Sequence, residues 1–161
     1  MILRNQVEWA LHCCAALAGL PPERYLSTKV LAEFHGVPKD YLSKALQSLS
    51  QAGIVTTVPG PSGGYRLARP AEDIAVLDVV EAIEGRRSTF ACTEIRRNNP
   101  CRPKDACDAK PCGIARVMWQ ADEAWRQSLR AVRLADILAE LPRDVPDEQL
   151  RANMEWLLSK S

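Results

Sequence analysis

The stretch "LSTKVLAEFHGVPKDYLSKALQSLSQAGIV", residues 26–55, contains the pattern that decides the fold. Ser27 is a suitable N-cap for a short helix through Phe34, and Gly36 supplies a turn after it. Pro38 suits the first turn of a second helix, because the N–H group that proline lacks would be unpaired there. Two short helices joined by a turn that contains glycine are typical of a helix-turn-helix, and also of an ordinary helical hairpin.

The second helix of this stretch has an apolar side and a polar side. Its apolar side carries Leu42, Ala45, Leu46 and Leu49 at helical spacing, and Gly53 ends the helix. A helix of this kind buries one face in its own domain and leaves the other free for a partner. The polar face is rich in groups that donate and accept hydrogen bonds.

The segment "IVTTVPGPSGGYRLARP", residues 54–70, predicts a β-hairpin directly after the second helix. A β-rich run over Val55–Val58 and a returning run over Tyr65–Ala68 enclose a turn cluster with three glycines. Helix, helix and glycine-rich hairpin in this order favour a winged helix-turn-helix that binds DNA over a plain surface hairpin. We predict DNA contacts at the recognition-helix residues Lys39, Tyr41, Ser43, Lys44 and Gln47 and at the wing residues Ser62, Gly63, Gly64 and Arg66.

The rest of the chain predicts further helices around one polar loop. Residues 74–84 form a short amphipathic helix, and residues 86–112 are polar and lack sustained periodicity. Residues 112–132 then carry an apolar stripe over about five helical turns, which favours packing against a second subunit. Two lesser helices, Leu134–Leu141 and Asp147–Leu158, follow, with Pro142 expected to end the first of them. The predicted fold class is mostly α with a small β-hairpin wing.

Length and composition place the chain among ordinary globular proteins. Its 161 residues are 47% hydrophobic and 25% charged, and we predict a DNA-binding domain over residues 1–70 and a second region over residues 71–161. The net charge is +1, but residues 1–69 hold seven Lys and Arg against four Asp and Glu, which permits phosphate contacts. No apolar run is long enough for a membrane span, and the N-terminus has no signal-peptide pattern. We therefore expect a cytoplasmic protein.

The sequence offers little support for an enzyme. It contains no phosphate-cradling glycine loop and no nucleophile–base–acid constellation. It has only two histidines, so general acid–base catalysis would have few candidate residues. We expect no catalytic residue and no small-molecule substrate.

Four of the six cysteines lie in "CTEIRRNNPCRPKDACDAKPC", residues 92–112. Disulfides are disfavoured in the reducing cytoplasm. A zinc site is possible, but eight, five and four residues separate successive cysteines, which differs from the paired short chelates of zinc ribbons. An iron–sulfur cluster and a cluster-free thiol switch are the other interpretations. The residues alone leave this choice open.

The chain resembles, nearly end to end, the dimeric winged-helix regulators that include IscR, NsrR and RsrR. The resemblance lies in residues 26–55, in the wing "PGPSGGYRLARP", in "IAVLDVVEAIEG" (residues 74–85) and in cysteines placed before a long helix. The segments "VEWALHCC", "CTEIR" and "CGIAR" are most similar to RsrR. The resemblance implies a homodimeric transcription regulator that binds pseudo-palindromic double-stranded DNA and holds an iron–sulfur cluster in its cysteine loop.

In this family the first helix of the other subunit contributes to the cluster, which implies ligands from two chains. The loop departs from IscR-like members because it contains no histidine, so a nitrogen ligand would have to be His12. Glu8 lies four residues before His12, so both project from one helical face and can bind one iron. Without the resemblance, this pair would be interpreted as a helical salt bridge.

A [2Fe–2S] cluster needs four protein ligands. If Glu8 and His12 supply two, the loop need supply only two. We predict Cys92 and Cys112, because they flank the loop and lie in the RsrR-like segments, and because Cys112 begins a helix, where the positive end of the helix dipole stabilises a thiolate. The predicted cofactor is one [2Fe–2S] cluster per subunit, with ligands from both chains. Cys101 and Cys107 are the reserve ligands, and an electron-transfer protein is a further alternative function.

Overall fold

The computed structural model describes residues 3–60, 63–107 and 109–161. These ranges form a mostly helical domain with one two-stranded antiparallel sheet, which confirms the predicted fold class. The helices are α1 (Asn5–Ala18), α2 (Thr28–His35), α3 (Lys39–Gln51), α4 (Val76–Glu84), α5 (Gly113–Ala131), α6 (Leu134–Asp144) and α7 (Asp147–Lys160). The strands are β1 (Val55–Val58) and β2 (Gly64–Leu67).

The turn between α2 and α3 forms as the sequence predicts. The Oγ of Ser27 accepts a hydrogen bond from the backbone N–H of Val30 at 3.2 Å, which caps α2. Gly36 ends α2 with φ of +63°, a left-handed conformation that glycine adopts without a Cβ penalty. Pro38 stands immediately before α3, at the cap position instead of inside the first turn. The helix-turn-helix is therefore specified by local signals.

The hairpin is tied to the helix-turn-helix by a backbone bridge that sequence analysis did not predict. Strands β1 and β2 pair in a register that places Val55 opposite Leu67. Leu26, just before α2, exchanges two backbone hydrogen bonds with Tyr65, at 3.0 and 2.8 Å. This bridge acts as a short third strand and fixes the wing relative to α2.

The hydrophobic core lies between α1, α3 and α4. The apolar side of α3 is completely or almost completely buried there, as its periodicity predicts. Burying one leucine or isoleucine side chain contributes about 1.5–3 kcal/mol, so this packing provides much of the stability of the helix-turn-helix. The most deeply buried large side chains are Leu26, Leu31, Leu42, Leu46, Leu49, Ile54, Ile74 and Leu134.

The long helix α5 packs against this core only through its C-terminal half, where Trp125 and Leu129 are partly buried. Ala115 is its one buried residue. At its end, the backbone N–H of Val76 donates to Val132 at 2.9 Å, and that of Leu134 donates to Ile74 at 2.8 Å. These two bonds clasp the segment before α4 to the segment between α5 and α6. Helix α5 is thus anchored at its C-terminal end and exposed over most of its length.

The C-terminal helices pack behind the helix-turn-helix. Leu157 of α7 is buried in the core, and Trp156 stacks on Phe34 of α2 with ring centroids 5.5 Å apart. The prediction that Pro142 ends α6 was wrong, because the helix continues to Asp144. A proline in the last turn removes a single intrahelical hydrogen bond, which α6 tolerates. Within the part of the chain that the structure describes, no helix has the length and apolarity of a membrane span.

Gly64→Ala is expected to destabilise the wing. A Cβ at Gly64 would lie 2.4 Å from the backbone oxygen of Leu26, so the bridge between Leu26 and Tyr65 would have to open. Overpacking of this kind costs about 1–3 kcal/mol. Urea unfolding at fixed protein concentration measures the loss. Gly113→Ala is the matched control: a Cβ there would meet its nearest atom at 3.9 Å, so equal stability of both variants would contradict the prediction.

Candidate DNA-binding and metal-ligand sites

The polar face of α3 is free for DNA. Lys39, Lys44 and Gln47 are exposed, and Ser43 is half-buried beside them. The ring of Tyr41 is also exposed and lies 5.8 Å from the Lys44 ammonium nitrogen. Because the opposite side of α3 is packed in the core, this face presents hydrogen-bonding groups and two cations to solvent. This is the arrangement that a recognition helix requires.

The wing residues predicted to bind DNA have different surroundings. Ser62 lies outside the described residues. Gly63 and Gly64 are needed by the protein's own packing, because a Cβ at Gly63 would lie 2.0 Å from the Val58 oxygen. The guanidinium of Arg66 donates to the backbone oxygen of Pro22 at 2.6 Å. DNA contacts by Gly63, Gly64 and Arg66 stay predictions.

Cys92 and Cys112 line one apolar cleft of about 550 Å³ at the two ends of the cysteine loop. Both are half-buried, whereas Cys101 and Cys107 are exposed and do not line this cleft. The Sγ of Cys112 accepts a hydrogen bond from the backbone N–H of Ala115 at 3.3 Å, so Cys112 caps the N-terminus of α5. The cleft therefore pairs the two cysteines that sequence analysis preferred.

The other two cysteines are unsuited to metal binding. Cys13 and Cys14 are completely buried in α1. Burial raises the pKa of Cys13 to about 12 and raises the pKa of Cys14 as well. Both thiols stay protonated and out of contact with solvent, which makes them core residues.

Glu8 and His12 line a separate cleft of about 210 Å³ on α1. Both side chains are exposed. Their spacing of one helical turn places them on the same face of α1. Trp9, His35 and Val37 complete the lining. The imidazole rings of His12 and His35 lie 5.8 Å apart, centroid to centroid. Sequence analysis did not place His35, the last residue of α2, at this site.

His35 has the least satisfied side chain in the α1 cleft. Its Nε2 is buried, and it has no hydrogen-bond partner among the residues described. Burial and, to a smaller extent, the neighbouring His12 lower the pKa of His35 to about 4, so its imidazole is neutral near pH 7. A buried, unpaired imidazole nitrogen can form a hydrogen bond with a group that enters or moves within the cleft.

The two clefts offer different kinds of donor atom. They share no lining residue. In the described ranges, no three His, Cys, Asp or Glu side chains of one chain converge in a metal-binding arrangement. The cysteine cleft offers two sulfur atoms, and the α1 cleft offers a carboxylate and an imidazole. Together these donors fit the four-ligand requirement of a [2Fe–2S] cluster.

The fold and the exposed recognition helix define a winged helix-turn-helix transcription regulator. The chain belongs to the Rrf2 family: the family described as "Rrf2: Iron-dependent Transcriptional regulator" matches residues 3–140. Members of this family are transcription regulators that bind DNA, and they are not enzymes. The prediction that the chain is not an enzyme is confirmed.

One similar protein shares the sequence pattern, and two solved structures share the fold. "Protein rrf2" of Nitratidesulfovibrio vulgaris is 37% identical over 119 residues, which cover 73% of this chain and 74% of that protein. The structure of CymR, the global cysteine regulator of B. subtilis, matches with a TM-score of 0.65 and 23% identity over 86% of this chain and 97% of CymR. IscR of T. potens matches with a TM-score of 0.62 and 23% identity over 87% of this chain and 88% of IscR.

Proposed function

We propose that the chain is a homodimeric regulator whose binding to a pseudo-palindromic operator is controlled by the redox state or presence of a [2Fe–2S] cluster. It would act in the cytoplasm on double-stranded DNA, in the manner of RsrR. The observation that carries the proposal is the division of one ligand set between two clefts that share no residue. The proposal requires a two-fold pairing that brings each cysteine cleft to the α1 cleft of its partner.

Each proposed ligand has a definite part in this arrangement. Cys92 and Cys112 would supply two thiolates from one protomer, and Glu8 and His12 would supply oxygen and nitrogen from the other. When bound, the cluster would supply a one-electron redox couple. Imidazole and carboxylate donate less charge to iron than two thiolates do. These ligands therefore favour a higher reduction potential of the cluster than four cysteines would give. An imidazole binds metal only in its neutral form, which couples metal binding to pH.

His35 provides a route from the metal ligands to the DNA-binding unit. It closes α2 and lies next to His12 in the α1 cleft. Gly36 and Val37 separate it from Pro38, the cap of α3. A small displacement of His12 would therefore shift His35 and the turn that orients the recognition helix. Control of DNA binding needs only a different operator affinity for the two arrangements, of a few kcal/mol for a strong switch.

A thiol switch without a cluster is the second candidate function. It is favoured by the exposure of Cys101 and Cys107, which stand outside the cleft of the preferred ligands and in contact with solvent. Exposed thiols near positive charge are the ones that oxidise readily. The two candidate functions differ in whether iron is required. The thiol switch predicts full control of DNA binding in protein that contains no iron.

The experiment that tests the proposal compares DNA binding by three forms of the protein. Oxygen-protected protein selects its operator from genomic fragments, and the gel-shift affinity is then measured for the oxidised, reduced and cluster-free forms. We expect at least a tenfold difference in affinity between forms, which corresponds to about 1.4 kcal/mol. Equal affinity of all three forms would contradict cluster control but not the family assignment.

Lys44→Ala tests the recognition helix in the same assay. We expect operator affinity to fall by about tenfold to a hundredfold, because each of the two copies loses one phosphate or base contact worth about 1 kcal/mol. The salt dependence of binding should also become shallower. Lys160→Ala is the matched control, since it removes the same charge from α7. If both variants bind as tightly as wild type, Lys44 does not contact the operator as predicted.

A further inference from the structure

The start of the cysteine loop is fixed to α5 by a set of polar contacts that we call the stem clamp. Arg126 donates from Nη1 to Glu81 Oε1 at 2.7 Å, from Nε to Asp122 Oδ2 at 3.1 Å, and from Nη2 to the backbone oxygen of Arg87 at 2.6 Å. The second oxygen of Asp122 accepts from the backbone N–H of Thr89 at 3.3 Å. The clamp joins α4, α5 and residues 87–89.

The side chains at the centre of the clamp are shielded from water, whereas its two bonds to the loop stem are exposed. The side chain of Arg126 is 13% exposed and that of Asp122 is 9% exposed. Hydrogen bonds from Thr89, together with the charge of Arg126, hold the pKa of Asp122 below its usual range. Shielded, charge-assisted bonds of this geometry are stronger than exposed ion pairs. The bonds of Arg126 to Glu81 and Asp122 are therefore the strong part of the clamp, and they orient the groups that bond the exposed loop stem.

The clamp connects the two cysteines of the cleft through one helix. Cys112 caps the N-terminus of α5, so its position follows that of the helix. Cys92 lies three residues beyond Thr89, which the same helix holds through Asp122. Helix α5 thus fixes one thiol directly and the other through the loop stem.

We propose that Arg126 and Asp122 are positioning residues that set Cys92 relative to Cys112 for metal binding. This inference rests on the proposed function, because it assigns the two thiols to one metal centre. Three donors of one guanidinium are aimed at three acceptors on different segments, a geometry that a lysine ammonium cannot reproduce. Residues behind the ligands commonly tune metal affinity by about 10–100-fold.

Two variants of the full-length protein test the inference. Arg126→Gln removes the positive charge and the three guanidinium donors. Asp122→Ala removes the acceptor for the Thr89 N–H and leaves Arg126 bonded to Glu81. In metal-free protein, we expect amide hydrogen exchange at Thr89, whose N–H the clamp bonds, to accelerate by about tenfold or more. Iodoacetamide should alkylate Cys92 faster, as read by mass spectrometry. In loaded protein, the electron paramagnetic resonance spectrum of the reduced state should change.

Two further substitutions separate positioning from general stability. Arg126→Lys keeps the charge and should restore part of the exchange protection but not the wild-type spectrum. Arg130→Gln breaks the exposed pair between Arg130 and Glu123 on the same helix, where the side chains are 53% and 51% exposed. It should leave exchange, alkylation and spectrum as in wild type.

The outcomes that would overturn the inference are specific. Unchanged exchange in Arg126→Gln and Asp122→Ala would show that the clamp does not hold the stem. Faster exchange with unchanged Cys92 alkylation and an unchanged spectrum would show a structural role only. If wild-type protein binds no cluster, the proposed function fails, but exchange and alkylation still decide whether the clamp positions Cys92.

Discussion

Cys112→Ser is expected to lower iron and sulfide content by more than tenfold while the protein stays folded. Serine is among the best N-cap residues, so the hydroxyl can replace the Cys112 thiol as acceptor for the Ala115 N–H at the start of α5. The same change removes a thiolate ligand, and loss of groups merely behind a ligand already costs about 10–100-fold in metal affinity. We therefore expect the variant to keep its fold and to lose its bound iron.

The measurement combines metal and sulfide analysis with optical spectra of protein purified without oxygen. Cys92→Ser, Glu8→Ala and His12→Ala should lose the cluster as well, and Mössbauer spectra of wild type should show one iron with ligands other than cysteine. Cys101→Ser is the matched control because its thiol is exposed and outside the cleft. Loss of iron in Cys101→Ser but not in Cys112→Ser would move the ligand set to the reserve cysteines.

The sequence predicts the helix-turn-helix because its signals are local. The serine cap before α2, the glycine after it and the apolar spacing of α3 each act within a few residues. The same applies to the hairpin, whose strands β1 and β2 lie within one residue of their predicted positions. The long α5 also matches its predicted bounds closely, since its stripe continues over many turns.

What the sequence does not predict depends on contacts between distant segments. His35 meets His12 because α2 folds against α1, which spacing along the chain does not reveal. In the sequence, Arg126 is one of many charged residues on a helix that is expected to be exposed. In the structure, its side chain is shielded by contacts with segments about 40 residues away. Leu26 pairs with Tyr65 through backbone groups, so no side-chain pattern marks the bridge.

Val117→Glu is expected to convert the proposed dimer into monomers at micromolar concentration. Val117 is 64% exposed and Ile114 is 70% exposed, so the N-terminal half of α5 presents an apolar surface that its own protomer does not cover. Pairing of two such surfaces would bury Val117, and two-fold symmetry would bury two uncompensated carboxylates in the variant. An effect of roughly 3 kcal/mol weakens the dimer by about a hundredfold.

Sedimentation velocity over a dilution series measures this change directly. Because Val117 is exposed in the protomer, circular dichroism should show unchanged helix content, which separates loss of pairing from unfolding. Gln149→Glu adds the same charge to an exposed position of α7 and should remain dimeric. Since each proposed metal centre draws ligands from two chains, the Val117→Glu monomer should also lose its iron, and its two half-site contacts with the operator should no longer reinforce each other. A dimer as tight as wild type would place the interface elsewhere, and iron retained in monomers would show that one chain holds the metal alone.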